Sequence, residues 1–383
     1  MSTTPVHGKA LLNVGVAGAG RMGSFHALHL AKRIEGARLF ALADEKPEVR
    51  AKLGEELNID PSRLYEKWED MLQNPELDAV VVTVPTRLHG AVVKAAAARK
   101  LPVFSEKPLC LTVAETREVV EIVDQAGIQL QIGFMRRFDS GYAKAKELIL
   151  AGKIGDPTIF KSVSRDPFCP PPAFADPKNS GGLIVDLSIH DIDMARWLVG
   201  SECVQASAEG SLRVCTAIRD LGDIDNSVVN MRFENGTLGN IETSRHAFYG
   251  YDIRSEVLGT RGGLHIGVLQ HTPVVVMTQE GGVQHDVTPY FRERFGEAYR
   301  KEIQEFVDAV RNGTPTKING KDGLLAIEIG AAATYSARVG GRPVTIEEIR
   351  KDSTAADEAV WQGAGRPIGF MPSTPKNALP IAK

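Results

Sequence analysis

The chain has 383 residues, a hydrophobic fraction of 43% and a formal net charge of only −3 at pH 7. This length suits two domains of ordinary size, and the near-neutral charge argues against nucleic acid or an acidic membrane surface as the main ligand. Neither a separable signal peptide nor a long apolar span is visible, so we expect a cytoplasmic protein. The cysteines form no Cys-x-x-Cys pair, and we expect all of them to be buried thiols of a reducing compartment: Cys110, Cys169, Cys203 and Cys215.

Up to residue 134, short β-branched runs alternate with longer helical patterns. The runs "LLNVGVAG", "ARLFALAD", "LDAVVVTVP" and "LPVFSEKP" are separated by stretches such as "HGAVVKAAAARK". Continuous apolar strands joined by crossover helices indicate a parallel sheet that is covered on both faces. We therefore predict a doubly wound α/β, or Rossmann, domain over residues 1–134.

After residue 135 the pattern changes to alternating segments that are separated by Gly-rich turns. Asn235-Gly236 lies between two such segments and predicts a type I′ hairpin. We predict a second α/β domain over 135–350, with a large, mostly antiparallel open sheet and helices at about 294–311 and 323–338. The tail, 351–383, is rich in proline and is predicted to be extended.

The segment "GVAGAGRMG" has Gly-x-Gly-x-x-Gly spacing directly after a predicted strand. Such glycines permit a tight turn, close approach of a pyrophosphate, and packing of helix on strand. Asp44 ends the next strand about 20 residues later, where a carboxylate accepts hydrogen bonds from ribose hydroxyls and favours NAD over NADP, a preference that Lys46 can soften. The predicted cofactor-binding residues are Gly18, Gly20, Arg21, Met22, Gly23, Asp44, Thr83, Pro85, Thr86, Glu106 and Lys107.

Two further motifs carry groups suited to catalysis. Lys107 follows a buried strand at the nucleotide edge, where its ammonium can either be solvated or stabilise an alkoxide as a hydride leaves. On a helix predicted at about 183–199, Asp186, His190 and Asp193 are spaced by four and three residues and share one polar stripe. We expect Asp186 to orient the His190 imidazole and stabilise its protonated form, as a general base requires. No further ligand cluster accompanies them, so no metal is expected.

Three motifs together, "GVAGAGRMG", "EKPL" and "GGLIVDLSIHDIDMARWL", supported by "QIGFMRRFD", resemble the Gfo/Idh/MocA oxidoreductase family over about residues 11–350. Within that family the chain looks most like the inositol 2-dehydrogenases. The resemblance implies a homotetramer in which the open sheet packs against a partner subunit, and a cis peptide bond before Pro108. It implies Lys107, Asp186 and His190 as the catalytic set. The implied substrate-binding residues are Lys107, Met135, Arg136, Arg165, Asp186, His190 and Tyr249.

The function implied by this resemblance is NAD-dependent oxidation of a secondary hydroxyl of scyllo- or myo-inositol, with His190 as the base. An aldose or other sugar dehydrogenase, a hydrolase that retains its NAD, and a non-catalytic NAD-sensing regulator stay open as alternatives. For Arg165 and Tyr249, a solvated strand cation and a sheet-face aromatic are equally open. A proline-rich loop at 166–174, "DPFCPPPAF", and the tail beyond 351 depart from the family's pattern and leave the physiological substrate undecided.

Overall fold

The computed structural model describes residues 8–365. Its first domain is a six-stranded parallel sheet with the strand order β3-β2-β1-β4-β5-β6, as predicted for a Rossmann fold. The strands are β1 (Leu12–Ala17), β2 (Ala37–Ala43), β3 (Leu64–Tyr65), β4 (Ala79–Val82), β5 (Val103–Ser105) and β6 (Leu130–Ile132). The helices are α1 (Arg21–Lys32), α2 (Pro47–Glu56), α3 (Trp68–Leu72), α4 (His89–Ala98) and α5 (Val113–Ala126). Because the strands are apolar and buried on both faces, their carboxyl ends are the edge that remains open to a ligand.

The second domain contains a seven-stranded sheet with the order β12-β11-β7-β10-β9-β8-β15 and a separate hairpin of β13 and β14. The strands are β7 (Pro157–Arg165), β8 (Cys203–Ser211), β9 (Asn226–Phe233), β10 (Leu238–Ser244), β11 (Asp252–Gly259), β12 (Gly263–Ile266), β13 (Gln270–Thr278), β14 (Gly282–Val287) and β15 (Val344–Thr345). The helices are α6 (Ser140–Leu150), α7 (Pro172–Ala175), α8 (Pro177–Ser180), α9 (Ile189–Val199), α10 (Phe291–Asn312), α11 (Gly320–Arg338), α12 (Ile346–Lys351) and α13 (Thr354–Gln362).

The large sheet confirms the predicted mostly antiparallel arrangement. Only the central pair β7 and β10 runs parallel. The hairpin between β9 and β10 forms where Asn235-Gly236 predicted it, but its turn is not type I′, which needs a positive φ at both central residues. Gly236 has a φ of 87°, and Asn235 is not among the described residues with positive φ. The Gly236 N–H donates to the Phe233 carbonyl. The turn therefore begins at Phe233, and Gly236, which has the left-handed conformation, is its last residue.

Helix α10 packs back onto the first domain, although it follows the second domain's sheet in the chain. Its apolar side chains Ile303, Phe306, Val307 and Val310 belong to the same buried cluster as strands β1 and β4. Helix α11 lies instead against β8 and α9, where its run of small residues at 331–333 is fully buried. The two domains therefore share a packed boundary, and the open edge of the parallel sheet faces the second domain across a cleft.

The prediction of an extended tail is wrong for the residues that the structure describes. Thr354–Gln362 form helix α13, whose sequence "TAADEAVWQ" is rich in helix-forming residues. Asp357 is buried in this helix, and its carboxylate accepts hydrogen bonds from the Val113 and Ala114 N–H groups at the start of α5 (2.7 and 3.3 Å). The prolines behind the prediction, at 367, 372, 375 and 380, lie outside the described residues.

Candidate active site

The glycine-rich turn between β1 and α1 forms one wall of the cleft. Gly18 has a φ of 93°, and a Cβ there would lie 2.6 Å from the backbone nitrogen of Val84. A Cβ on Gly23 would lie 1.8 Å from the Gly18 carbonyl oxygen, so this glycine allows the helix to pack closely. A Cβ on Gly20 would meet nothing within 4 Å. Gly20 therefore leaves open space beside a helix N-terminus, as a bound pyrophosphate requires.

Asp44, at the end of β2, is fixed by the backbone around it. One carboxylate oxygen accepts a hydrogen bond from the Ala19 N–H (2.7 Å) and the other from the Lys46 N–H (3.0 Å). The side chain lines the cleft together with Lys46. A carboxylate held in this way can accept hydrogen bonds from a ribose diol, and it repels a phosphate in the same place.

The remaining predicted cofactor residues lie along the same cleft, which has a volume of about 970 Å³. Thr83 donates from its hydroxyl to the Gly18 carbonyl (2.7 Å) and so connects β4 to the glycine turn. The peptide bond between Lys107 and Pro108 is cis, as expected. Of the eleven predicted residues, Gly23 alone does not line the cleft, because it packs behind it. The others do: Gly18, Gly20, Arg21, Met22, Asp44, Thr83, Pro85, Thr86, Glu106 and Lys107.

Lys107 from the first domain meets Asp186 from the second. Its ammonium donates to the Asp186 backbone carbonyl (2.6 Å) and to a carboxylate oxygen (3.2 Å). The other carboxylate oxygen accepts from the Arg245 guanidinium (3.2 Å). Burial disfavours the Asp186 carboxylate, but the charges of Lys107 and Arg245 outweigh burial and lower the pKa of Asp186. Asp186 is therefore an ionised group that holds the ammonium in the cleft.

His190 lies in the same cleft as Asp186, as their spacing predicted. Asp186, however, lies within a π-helical turn (Ile184–Ser188) that directly precedes α9, the helix that carries His190. Both Asp186 oxygens are engaged by cations, and no hydrogen bond joins Asp186 to His190 among residues 8–365. Burial, followed by the charges of Lys107 and Arg136, lowers the pKa of His190 well below its usual value. The expectation that Asp186 stabilises a protonated imidazole is wrong, since the surroundings favour neutral His190.

The third member of the predicted polar stripe, Asp193, lies outside the cleft. It is fully buried, and its carboxylate forms two hydrogen bonds with Arg137 (2.9 and 2.5 Å). Asp193 follows His190 by three residues in α9, and the packing of this helix against the Arg137 segment takes its carboxylate to Arg137 instead of the cleft. The prediction that all three residues share one polar face is therefore wrong for Asp193.

Of the other predicted substrate residues, only Met135 lines the cleft. Arg136 is 1% exposed and binds the Asp191 carboxylate (2.7 Å) and the Ser164 hydroxyl (3.0 Å), so its assignment to the substrate is wrong. Arg165 and Tyr249 contact each other (2.8 Å) outside the cleft lining. Residues alternate along β7, which directs Ser164 inward and Arg165 to the outer face of the sheet. The structure therefore does not bring Arg136, Arg165 or Tyr249 to the site.

Comparison with known proteins agrees with this geometry. A family model described as the oxidoreductase family, NAD-binding Rossmann fold (GFO_IDH_MocA), matches residues 12–134, and a model of the same family's C-terminal alpha/beta domain matches 146–346. The chain belongs to the Gfo/Idh/MocA oxidoreductase family. As the Rossmann domain and its relatives show, it is an NAD-dependent dehydrogenase that acts on CH–OH groups.

The similar proteins of this family include inositol dehydrogenases. The chain is 39% identical to scyllo-inositol 2-dehydrogenase (NAD(+)) from Bacillus subtilis, over 88% of this chain and 96% of that protein. It is 37% identical to myo-inositol 2-dehydrogenase from Thermotoga maritima, over 88% and 99%. The crystal structure of scyllo-inositol dehydrogenase from Lactobacillus casei with bound NAD(H) and scyllo-inositol has a TM-score of 0.83 at 33% identity, and the match covers 88% of this chain and 99% of that chain.

The proline-rich loop at 166–174 forms a wall of the cleft. Phe168 contacts the ring of Tyr290 (4.9 Å between centroids), and Phe174 lies under the Arg21 guanidinium (5.4 Å). The expectation of four free thiols is wrong, because Cys169 in this loop is bonded to Cys215. Sequence reasoning noted the loop but had no signal for the pairing, since the two cysteines are 46 residues apart. Cys110 and Cys203 are free and buried, as expected.

Sequence reasoning also missed several cleft residues. Asp166 begins the proline-rich loop and faces the cleft. Burial raises the pKa of its carboxyl to about 6, an effect that Arg245 opposes and Asp186 reinforces. Aromatic side chains from distant segments complete the lining: Phe168, Phe174, Tyr251, Tyr290, Phe291 and Tyr299. Only the fold brings these segments together, so no local pattern marks them.

Glu106 connects the cleft to a buried acidic cluster. One of its oxygens lies 2.7 Å from the His26 Nε2. One ring nitrogen of His26 and one carboxylate oxygen each of Glu106 and Glu302 all lie within 4.8 Å of one another. Both carboxylate oxygens of Glu302 are buried and lack a hydrogen-bond partner within the described chain. Burial and the charge of Glu106 raise the pKa of Glu302 well above its usual value. A proton on Glu302 relieves the repulsion between two buried carboxylates.

None of the helices among residues 8–365 is long and apolar enough to cross a membrane. The cytoplasmic location expected from the sequence stays a prediction.

Proposed function

We propose that this dehydrogenase oxidises a secondary hydroxyl of a cyclitol, scyllo- or myo-inositol, to the ketone, with His190 as the general base. The observation that carries the proposal is the meeting of two domains at one point. The Lys107 ammonium of the first domain and the buried His190 imidazole of the second line a single cleft, whose other end has the features of a dinucleotide site. Relatives named as inositol 2-dehydrogenases align with this chain over 88% of its length.

The cofactor fits the residues that are present. Open space at Gly20 and the fixed carboxylate of Asp44 suit a pyrophosphate and a ribose diol. NAD supplies the acceptor for the hydride at C4 of its nicotinamide ring. The glycine turn, Asp44 and the ends of β4 and β5 would hold it.

His190 has the properties of a base for this reaction. Its pKa lies well below 6.5, so the imidazole is neutral at neutral pH and ready to accept the hydroxyl proton. Lys107 is directed by Asp186 and donates a hydrogen bond to the same oxygen, where negative charge develops as the C–H bond breaks. The O–H proton passes to His190, the hydride leaves the carbon, and a C=O bond forms. Asp186 thus acts on Lys107 and not on the imidazole.

A panel of substrates tests the proposal. The full-length protein is assayed with scyllo-inositol, myo-inositol, glucose and other aldoses, each with NAD and with NADP, and NADH or NADPH formation is measured. We expect the highest kcat/KM for an inositol with NAD. A higher kcat/KM for an aldose would indicate that the substrate is a pyranose and not a cyclitol. No net NADH from any polyol would contradict the proposed reaction and favour a hydrolase that retains its NAD or a sensor.

We further propose that the protein is a homotetramer in which the outer face of the seven-stranded sheet is covered by a second subunit. Val228, Leu238 and Leu258 lie on that face and are 41%, 46% and 43% exposed in the single chain. Leu238 and Leu258 lie in one cross-strand row with Ile159 of β7 between them, and exposed apolar groups on a sheet face favour association. Light scattering during size-exclusion chromatography gives the mass directly, and a monomer at micromolar concentration would contradict the proposal.

A further inference from the structure

Arg245 is a buried cation directly behind the proposed active site. It follows β10 and is 1% exposed, and it is not among the residues that line the cleft. Its guanidinium donates to the Asp186 carboxylate (3.2 Å). A charged side chain is rarely buried so completely unless it is paired. Its location therefore points to a role that is exerted through Asp186.

The same guanidinium connects Asp186 to the start of the catalytic helical segment. It lies 4.0 Å from the carboxylate of Asp223, which is fully buried. Asp223 accepts two hydrogen bonds from the Leu183 N–H (3.2 and 3.1 Å), and Leu183 directly precedes the π-helical turn that carries Asp186. A Cβ on Gly182 would lie 2.8 Å from Asp223, so the backbone approaches this carboxylate closely. Arg245 thus holds both the side chain of Asp186 and the backbone segment that carries it.

We propose that Arg245 is a positioning residue for the dehydrogenase reaction: it holds Asp186 ionised and turned toward Lys107, so that the ammonium is directed at the substrate oxygen. The inference rests on the proposed function, because it assigns Lys107 to the reacting oxygen. Arg245 itself touches neither substrate nor cofactor in this scheme.

The balance of charge around Asp186 makes the guanidinium necessary. Asp166 and Asp223 add negative charge from two neighbouring segments, and burial raises the pKa of each to about 6. Arg245 is the largest influence that opposes burial at both carboxyls. The titratable and charged groups that face Asp186 come from six other segments: Arg21, Lys107, Asp166, Asp223, Arg245 and Tyr290. Without Arg245, the Lys107 ammonium is the main positive charge left near the buried carboxyl groups of Asp166, Asp186 and Asp223.

Removal of the guanidinium should therefore move the pH dependence of the reaction. The native pKa of Asp186 is lowered by Lys107 and Arg245. An opposite charge at this distance typically lowers a carboxyl pKa by about 1–3 units, so its loss raises the pKa by a similar amount. Below the new pKa, neutral Asp186 loses its charged contact with Lys107 and holds the ammonium through the backbone carbonyl alone. The acid limb of the kcat profile should shift upward by about 1–3 pH units, with a smaller change in KM.

The test compares kcat and KM across pH for wild type, Arg245→Met, Arg245→Lys and a control, Arg254→Met. Arg254 is also paired with an aspartate, Asp252 (2.6 Å), but its side chain is 45% exposed and lies outside the cleft lining. We expect the upward shift in Arg245→Met, a smaller one in Arg245→Lys, and none in the control. If the kcat of Arg245→Met falls by the same factor at every pH and the acid limb does not move, the role of Arg245 is merely structural and the proposal is overturned.

A second measurement does not depend on activity. NMR spectra of isotope-labelled aspartate carboxyl carbons, with the Asp186 signal assigned by its loss in Asp186→Asn, give the pKa of this carboxyl directly. A raised pKa of Asp186 in Arg245→Gln, which keeps a polar side chain without the charge, supports the inference even if Arg245→Met does not fold, and an unchanged pKa in Arg245→Gln overturns it. If wild type oxidises no polyol, the proposed function fails in the activity assay, while the NMR titration still decides whether Arg245 controls Asp186.

Discussion

Replacement of His190 by alanine removes the proposed base and leaves the rest of the cleft in place. General-base catalysis contributes about 10²–10⁴ in rate, which corresponds to roughly 2.7–5.4 kcal/mol in the activation barrier. The structure favours a large effect within this range. Asp186 cannot take over as the base because both of its oxygens are engaged by Lys107 and Arg245. We therefore expect kcat to fall by about a thousandfold, with little change in KM for the polyol.

The assay is NADH formation with saturating NAD and scyllo-inositol, measured in a rapid-mixing instrument so that hydride transfer is separated from product release. The matched control is His246→Gln. The His246 Nε2–H donates to the Asn226 amide oxygen (2.8 Å), and His246 lies outside the cleft lining. The control should keep wild-type kcat. Near wild-type hydride transfer in His190→Ala would refute the assignment of the base.

Three further predictions concern the cofactor site, the loop and the buried cluster. Asp44→Ala should raise KM for NAD by roughly tenfold or more and weaken the discrimination against NADP, because it removes a charged acceptor worth about 1.5–3 kcal/mol; titrations with both cofactors measure this. Cys169→Ser with Cys215→Ser should lower the free energy of unfolding by about 2–4 kcal/mol and raise KM for the polyol more than it lowers kcat, as denaturant melts and steady-state kinetics will show. Glu302→Gln should stabilise the fold above about pH 4.5, by an amount that grows with pH. In the wild type the pKa of Glu302 is raised in the folded state, so above this pH ionisation of Glu302 stabilises only the unfolded chain, and glutamine removes that effect.

Each of these predictions has a control and a contrary outcome. Reduction of the wild type with dithiothreitol should mimic the double serine variant, and Cys203→Ala, which removes a free buried thiol, should leave KM unchanged. An unaltered KM after reduction would show that the disulfide does not shape the cleft. For Glu302→Gln, the stability gain should vanish in acid, below the pKa of an unfolded glutamate; a gain that is equal at all pH values would indicate a packing effect. Retained affinity for NAD in Asp44→Ala would exclude the ribose contact.

The parts of the site that were predictable depend on local backbone geometry. The glycine turn at Gly18 and Gly20 and the carboxylate of Asp44 occupy the places that their spacing along strand, turn and helix indicated. The end of a strand is likewise a local feature of the sequence, so Lys107, which follows β5, was expected at the open edge of the parallel sheet. The resemblance to a known family added the pairing of Lys107 with the segment around Asp186 and His190.

The parts that were not predictable depend on which partners the fold brings to a buried charge. Arg136 was expected at the substrate, yet the fold pairs it with Asp191, and Arg245, which carried no motif, holds Asp186. Helix α9 packs against the segment that carries Arg137, and so Asp193 pairs with Arg137 and does not reach the cleft. A sequence gives the charges of these groups but not their pairing, which is decided by packing across the chain.

The most direct test of the proposed active site is a crystal structure of the full-length protein with NAD and scyllo-inositol. We expect one substrate oxygen within about 2.6–3.2 Å of both the His190 imidazole and the Lys107 ammonium, with its carbon facing C4 of the nicotinamide. A substrate hydroxyl placed away from His190, or a nicotinamide that does not reach Lys107, would contradict it.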